Sequence, residues 1–355
     1  MLKKKEEIMN FKKISALFMS AVLAVTVCGC KNNSQTSGDT SSIAQSDDTS
    51  SPDPVASGSF RVDGTKLLDA KGNEFVMRGI NHAHAWYKGQ LDTAIDSIAK
   101  TGANSVRVVL ADGDQWDKTS VDEVEKIIQK CVDNKMIAIL ELHDGTGKDQ
   151  QSFLDNAADY WIEIKDVLNA HTDTVIVNIA NEWVGQWAVD TWKKGYTSVI
   201  PRMREAGIKN TIMVDAAGWG QYGESIKKAG KEVFESDPDK NTMFSIHMYG
   251  SAGKNQQTIT ANLKGATDQG LCVIVGEFGY NHSDGDVDEA FIMKYCTENN
   301  IGYIGWSWKG NGGGVEYLDI AKDWAGAELS ADWGEVLING ENGIKKTSKI
   351  CTFFE

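Results

Sequence analysis

Val175-Ile-Val-Asn-Ile-Ala-Asn-Glu-Trp183 and Leu271-Cys-Val-Ile-Val-Gly-Glu-Phe-Gly279 are apolar runs that each lead into a glutamate. Short runs rich in Val and Ile read as strands buried on both faces, the habit of parallel sheets. A carboxylate has no place inside such a strand, so a glutamate at its carboxyl end points to chemistry at the strand mouth. Glu182 and Glu277 are therefore the pair to explain.

Working outward, similar β-rich runs begin near Phe75, Ser105, Ile137, Thr211, Met243 and Ile301, making eight with Val175 and Leu271. They recur roughly every 28 to 38 residues, the length of a strand, a helix and two loops. Helical patterns lie between them, as in Ser120-Val-Asp-Glu-Val-Glu-Lys-Ile-Ile-Gln-Lys-Cys-Val132, where Ser120 and Glu123 predict a capping box. Eight such units, with no Gly-rich phosphate loop after the first strand, predict an α/β fold of the (β/α)8 TIM barrel type over residues 58–355. Strand ends far apart in sequence then meet on one face.

Those ends carry Asn81, His82 and Trp86, then Arg107, His143, Asn181 with Glu182, Asp215, His247 with Tyr249, Glu277, and Trp306 with Trp308. Alternation puts Ile139, Glu141 and His143 on one face of their strand, so Glu141 is a rival carboxylate at greater depth. Two carboxyl groups across a barrel mouth suit glycosidic cleavage, one protonating the leaving oxygen while the other attacks the anomeric carbon. The competing reading makes them buried ion-pair partners of Arg107 or metal ligands. A metal would call for more ligand-like groups, so neither metal nor organic cofactor is expected. Of 11 tryptophans, Trp86, Trp116, Trp183, Trp187, Trp219, Trp306 and Trp308 follow or end strands, as platforms for sugar rings would. Trp161 and Trp192 fall on helical stretches and read as packing. Asp284-Gly-Asp-Val-Asp-Glu289 has its glycine in the wrong place for an EF-hand and reads as a solvated loop capping a helix.

The chain of 355 residues has 41% hydrophobic residues, enough for a sizeable core, and a formal net charge of −14. That charge argues against nucleic acid and polyanionic substrates and for a neutral partner. Residues 1–30 read as an export signal: lysines at 3, 4, 5, 12 and 13 precede the apolar run from Ile14 to Val27, and either Met1 or Met9 serves as the start. Val27-Cys28-Gly29-Cys30 resembles a bacterial lipobox with Cys30 as the acylated residue; Cys28 departs from the usual Ala or Ser and leaves ordinary signal-peptidase cleavage as the other reading. Residues 31–57 are Ser, Thr, Asp, Gln and Gly with few apolar groups, the composition of a disordered polar linker. Cys131, Cys272, Cys296 and Cys351 show no metal-ligand spacing and are expected to be free.

Arg107, His143, Asn181-Glu182, His247-Met-Tyr249, Gly276-Glu-Phe-Gly279 and Trp306 together resemble the signature of glycoside hydrolase family 5. Arg78-Gly-Ile-Asn-His-Ala-His-Ala-Trp-Tyr87, Asp215-Ala-Ala-Gly-Trp-Gly-Gln221 and Gly305-Trp-Ser-Trp-Lys-Gly-Asn-Gly312 resemble its bacterial endo-β-1,4-mannanase subfamily. The resemblance implies a retaining double displacement with Glu182 as acid/base and Glu277 as nucleophile. It implies further that Asn181 binds the hydroxyl next to the anomeric carbon and that Arg107 and Tyr249 hold Glu277 ionised. His143, His247 and Trp306 would then shape the cleavage subsite, with Trp308, Trp86, Trp183 and Trp219 as further sugar contacts. The implied partner is a neutral β-mannan; the export segment and lipobox-like Cys30 put the protein outside the cell, held to the membrane only by its lipid, where a depolymerase is expected to act as a monomer. Two rivals stand beside this: an endo-β-1,4-glucanase of the same mechanism, and a surface lipoprotein that binds glycans without cutting them.

Overall fold

The computed structural model describes residues 58–355, so the expected signal, Cys30 and the polar linker lie outside the described residues. Eight parallel strands close into a barrel: β1 (Arg78–His82), β2 (Ser105–Leu110), β3 (Ile137–Leu142), β4 (Val175–Asn178), β5 (Ile212–Asp215), β6 (Thr242–Met248), β7 (Val273–Phe278) and β8 (Gly302–Gly305). Each pairs with its sequence neighbours, and β8 pairs with both β7 and β1 to complete the ring. The first strand begins at Arg78 rather than Phe75. Phe75 instead packs on Phe60 beneath the barrel, its N–H donating to the Leu67 carbonyl of a small hairpin, Arg61–Asp63 with Lys66–Leu68.

The helices α1 (Leu91–Lys100), α2 (Val121–Asp133), α3 (Gln151–Glu163), α4 (Lys165–Asn169), α5 (Val189–Glu205), α6 (Gly223–Ser236), α7 (Gln256–Thr267) and α8 (Glu289–Glu298) follow the strands, and α9 (Gly334–Asn339) and α10 (Ile344–Thr347) follow β8. In α2 the buried face is Val124, Ile127, Ile128 and Cys131, the stripe a 3.6-residue period produces. Ser120 caps this helix by accepting from the Glu123 N–H, but the Glu123 carboxylate turns to His84 and Lys88 instead of closing the box. Strand residues alternate as their pleat demands. Val106, Val108 and Leu110 face the helices, whereas Arg107 faces inward; Ile137 and Ile139 fill the barrel floor beneath Glu141. Cys131, Cys272, Cys296 and Cys351 are buried and unpaired.

One irregularity decides where the chemistry sits. Pairing between β6 and β7 slips after Ile246/Val275, so His247 faces Glu277 and Gly276 is the extra residue of a bulge. Strict alternation from Val275 would send Glu277 out among the helices. The bulge turns Glu277 inward and puts Phe278 into the outer core against Tyr303 and Trp333. Gly276 is required because a Cβ there would collide with Ser245 Oγ.

Two stability measurements follow from this frame. Gly276→Ala is expected to lower the unfolding free energy by roughly 1–3 kcal/mol in urea titrations, as overpacking does. Asp237, fully buried, accepts from Arg204 Nε at 2.9 Å and Nη2 at 3.0 Å, from the Asn241 N–H at 3.1 Å and from Thr242 Oγ1 at 2.7 Å. Asp237→Ala leaves the buried guanidinium uncompensated and should cost about 3–5 kcal/mol by the same titration.

Candidate active site

Arg107 projects from the middle of β2 onto the barrel axis and is completely buried. Its Nη1 donates to Glu277 Oε1 at 2.7 Å and Asn81 Oδ1 at 3.1 Å, its Nη2 to Asn181 Oδ1 at 2.7 Å and Asp215 Oδ2 at 3.4 Å, and its Nε to Asn178 Oδ1 at 2.9 Å. Glu141 lies 3.8 Å from Nη1. Burial alone would weaken the guanidinium's hold on its proton. The carboxyl groups of Glu141, Glu277, Asp215 and Glu182 outweigh that and hold Arg107 above the ordinary arginine value.

Glu277 receives a second donor on its other oxygen, the Tyr249 hydroxyl at 2.9 Å. Tyr249 stays a phenol, because burial first and the charges of Glu277 and Glu182 next push its ionisation well above the usual range. The Tyr249 ring is itself backed by the His282 ring, with centroids 4.4 Å apart.

Glu182 sits just past β4 in a left-handed conformation, φ 47°, with Val184 at φ 70° and Trp219 at φ 57° nearby. Such values in non-glycine residues cost of order 1–3 kcal/mol each and persist where surrounding bonds over-determine them. Here the Glu182 N–H donates to Asp215 Oδ2 at 3.0 Å, the Glu182 carbonyl accepts from Gly147, and Val184 is bonded to Lys148 and Gly218. The Glu182 side chain meets His247 Nδ1 at 2.7 Å. Burial, then the charges of Glu277 and Asp215, raise the Glu182 carboxyl well above the normal glutamate value, against the opposing pull of Arg107. Burial lowers His247 to about 3, so the imidazole is neutral.

Glu182, His247 and Glu277 each offer an atom within 4.8 Å of the others, a spacing that would fit an ion. A divalent cation there would face the Arg107 guanidinium already bonded to Glu277.

Above this pair opens a cleft of about 480 Å³. On one side Trp306 lies nearly parallel to His143, with centroids 6.0 Å apart, and Trp86 meets His143 edge-on. On the other, Trp219 and Trp187 are 48% and 54% exposed, the largest apolar surfaces offered to solvent beside the pair. Arg107, His143, Asn181, Glu182, His247, Tyr249, Glu277, Trp306, Trp86 and Trp219 are thus gathered at one mouth. Trp183 and Trp308 are not available to a sugar: both are buried, their indole N–H groups donating to the Gln150 and Trp324 carbonyls. Trp306 and Trp308 part company because β8 ends at Gly305: Trp306 lines the cleft while Trp308 turns into the core. The loop expected to be solvated and to cap a helix does cap one and also does more. Asp288 caps α8, whereas Asp284 ties three loops together by accepting from Gln221, His282 and the Gly250 and Ser251 N–H groups. From the sequence, Asp215 is named at its strand end without a role and Asn178 is left out, yet a polar group inside Val175-Ile-Val-Asn178 carries the same signal that singles out Glu182.

The family model described as Cellulase (glycosyl hydrolase family 5) matches residues 68–312. A mannan endo-1,4-beta-mannosidase of Salipaludibacillus agaradhaerens is 52% identical over 295 residues, 83% of this chain and 96% of the relative. Another from Streptomyces lividans is 43% identical over 84% of this chain and 79% of its own length. The mannohexaose complex of Thermomonospora fusca beta-mannanase aligns with a TM-score of 0.78 at 43% identity, covering 84% of this chain and 99% of that one. Barrel topology, strand-end glutamates and sequence similarity over most of the described residues converge: this chain belongs to glycosyl hydrolase family 5.

Proposed function

We propose that the chain is an endo-β-1,4-mannanase that cuts internal bonds of mannan, glucomannan or galactomannan with retention at the anomeric carbon. The observation that carries the mechanism is that an oxygen of Glu182 and an oxygen of Glu277 lie within 4.8 Å of each other, the close facing that suits a retaining pair rather than one spaced to admit a water between its carboxyl groups. The similarity to mannan-cleaving relatives over nearly their whole length supports the substrate.

In this reading Glu277, oriented by Arg107 and Tyr249, attacks the anomeric carbon while Glu182 delivers its proton to the departing glycosidic oxygen. The glycosyl ester formed on Glu277 is then hydrolysed by water whose proton returns to Glu182. Asn181 is anchored through Oδ1 to Arg107 and through Nδ2 to Thr146 Oγ1 at 2.9 Å, and its second amide hydrogen serves the sugar hydroxyl beside the reacting carbon. Trp306 and Trp86 carry rings on one side of the cut and Trp219 on the other. On the sequence alone, Cys30 is the lipid attachment site and residues 31–57 tether a monomeric catalytic domain outside the cell.

Purified protein offered glucomannan, galactomannan and carboxymethylcellulose should release reducing ends from the two mannans. Release chiefly from the cellulose derivative would overturn the substrate, and none from any would return a glycan-binding role. Glu277→Ala should lower kcat by at least about 10⁴-fold while leaving mannan retention in affinity electrophoresis. Since Glu182 must be protonated to act and its carboxyl is held high, the alkaline limb of kcat/KM should lie above the ordinary glutamate range.

A further inference from the structure

We propose that Asp215 is the positioning residue of the acid/base, its buried carboxylate fixing the Glu182 backbone and biasing the Glu182 side chain toward keeping its proton. The inference rests on the reading of Glu182 as acid/base. Asp215 ends β5 with no exposed surface, so it touches no substrate. Its Oδ2 accepts from the Glu182 N–H at 3.0 Å, which holds the left-handed turn that aims the carboxyl into the cleft. The same oxygen lies 3.4 Å from His247 Nε2, near enough to act by charge though not aligned as a hydrogen bond, on the imidazole whose Nδ1 is 2.7 Å from Glu182. A carboxylate beside Nε2 favours the tautomer protonated there, which leaves the Nδ1 lone pair to accept from a protonated Glu182. Asp215 therefore bonds the Glu182 backbone directly and reaches its carboxyl only through charge, across His247.

Asp215 is held in turn by Asn178 Nδ2 on Oδ1 at 3.1 Å, by Arg107, and by the Trp192 indole of α5 on its backbone carbonyl at 2.7 Å. The charged and titratable groups around Glu182 are Arg107 from β2, Glu141 and His143 from β3 and its loop, His247 and Tyr249 from β6 and its loop, and Glu277 from β7. Among these and Asp215, only Asp215 bonds the Glu182 backbone.

Asp215→Asn removes the charge while leaving an oxygen able to accept from the Glu182 N–H, and Asp215→Thr removes both the charge and the full reach of that acceptor. In folded variants the alkaline limb of kcat/KM on mannan should move to lower pH, because loss of a neighbouring negative charge lets Glu182 ionise sooner. kcat should fall by up to about 100-fold with KM little changed. A folded variant whose limb stays in place overturns the proposal, since a purely structural residue would lower activity without moving it. Should neither variant fold, a carboxyl carbon-13 titration of the wild type decides. The Glu182 signal, assigned by its loss in Glu182→Gln, should titrate in two steps, one shared with an aspartate; a single independent step overturns the coupling. A wild type that cleaves no β-mannan would sink the underlying functional reading, whereas an active wild type with unmoved variants would sink this inference alone.

Discussion

A guanidinium buried on the barrel axis organises everything above it. Arg107 carries a charge that the interior tolerates only because carboxyl and amide oxygens from β1, β4, β5, β7 and the loop after β4 surround it. Its planar fork lets one side chain address Glu277, Asn181 and Asp215 together, which a lysine on the same strand would not do. The charge balance has a chemical result. With Glu141, Asp215 and Glu277 gathered around one cation, a further carboxyl in the same low-dielectric volume is driven to keep its proton, and Glu182 is that group.

The two glutamates reach this centre by different backbone devices. Glu277 is turned inward by a bulge at Gly276, Glu182 by a left-handed residue beyond the end of its strand. Both are departures from regular geometry, and both are pinned by neighbours on adjacent strands. The barrel supplies the rigidity that makes such local strain sustainable, since the loop after β4 is bonded to the loops after β3 and β5. The aromatic groups follow a similar division of labour. Trp161, Trp183, Trp192 and Trp308 fill the layer behind the site and cap backbone carbonyls with their indoles, while Trp187, Trp219 and Trp306 line the cleft and Trp86 packs edge-on against His143 and Trp306 at its rim.

Much of this was legible in the chain. The eightfold beat of Val/Ile-rich runs, the amphipathic helices between them and the polar residues at the run ends are local patterns, and they determined the barrel class and placed Glu182, Glu277, Arg107, His143, His247 and Tyr249 at one face. Local pattern could not sort the tryptophans, because whether the Trp183 or Trp308 indole meets sugar or core depends on which distant segment covers it. Nor could it foresee that Gly276 breaks the alternation of β7, since the slip is defined against β6 and not along β7 itself. Asp215 is the sharpest case: its partners Glu182, Arg107 and Asn178 stand on two other strands and the loop after one of them, and only closure of the ring brings them within hydrogen-bond range. Sequence alone determined which residues stand at the barrel mouth, because strand periodicity is written in neighbouring residues. Tertiary structure decided which of them touch, because those distances are set by closure and by bulges and turns that no single segment contains.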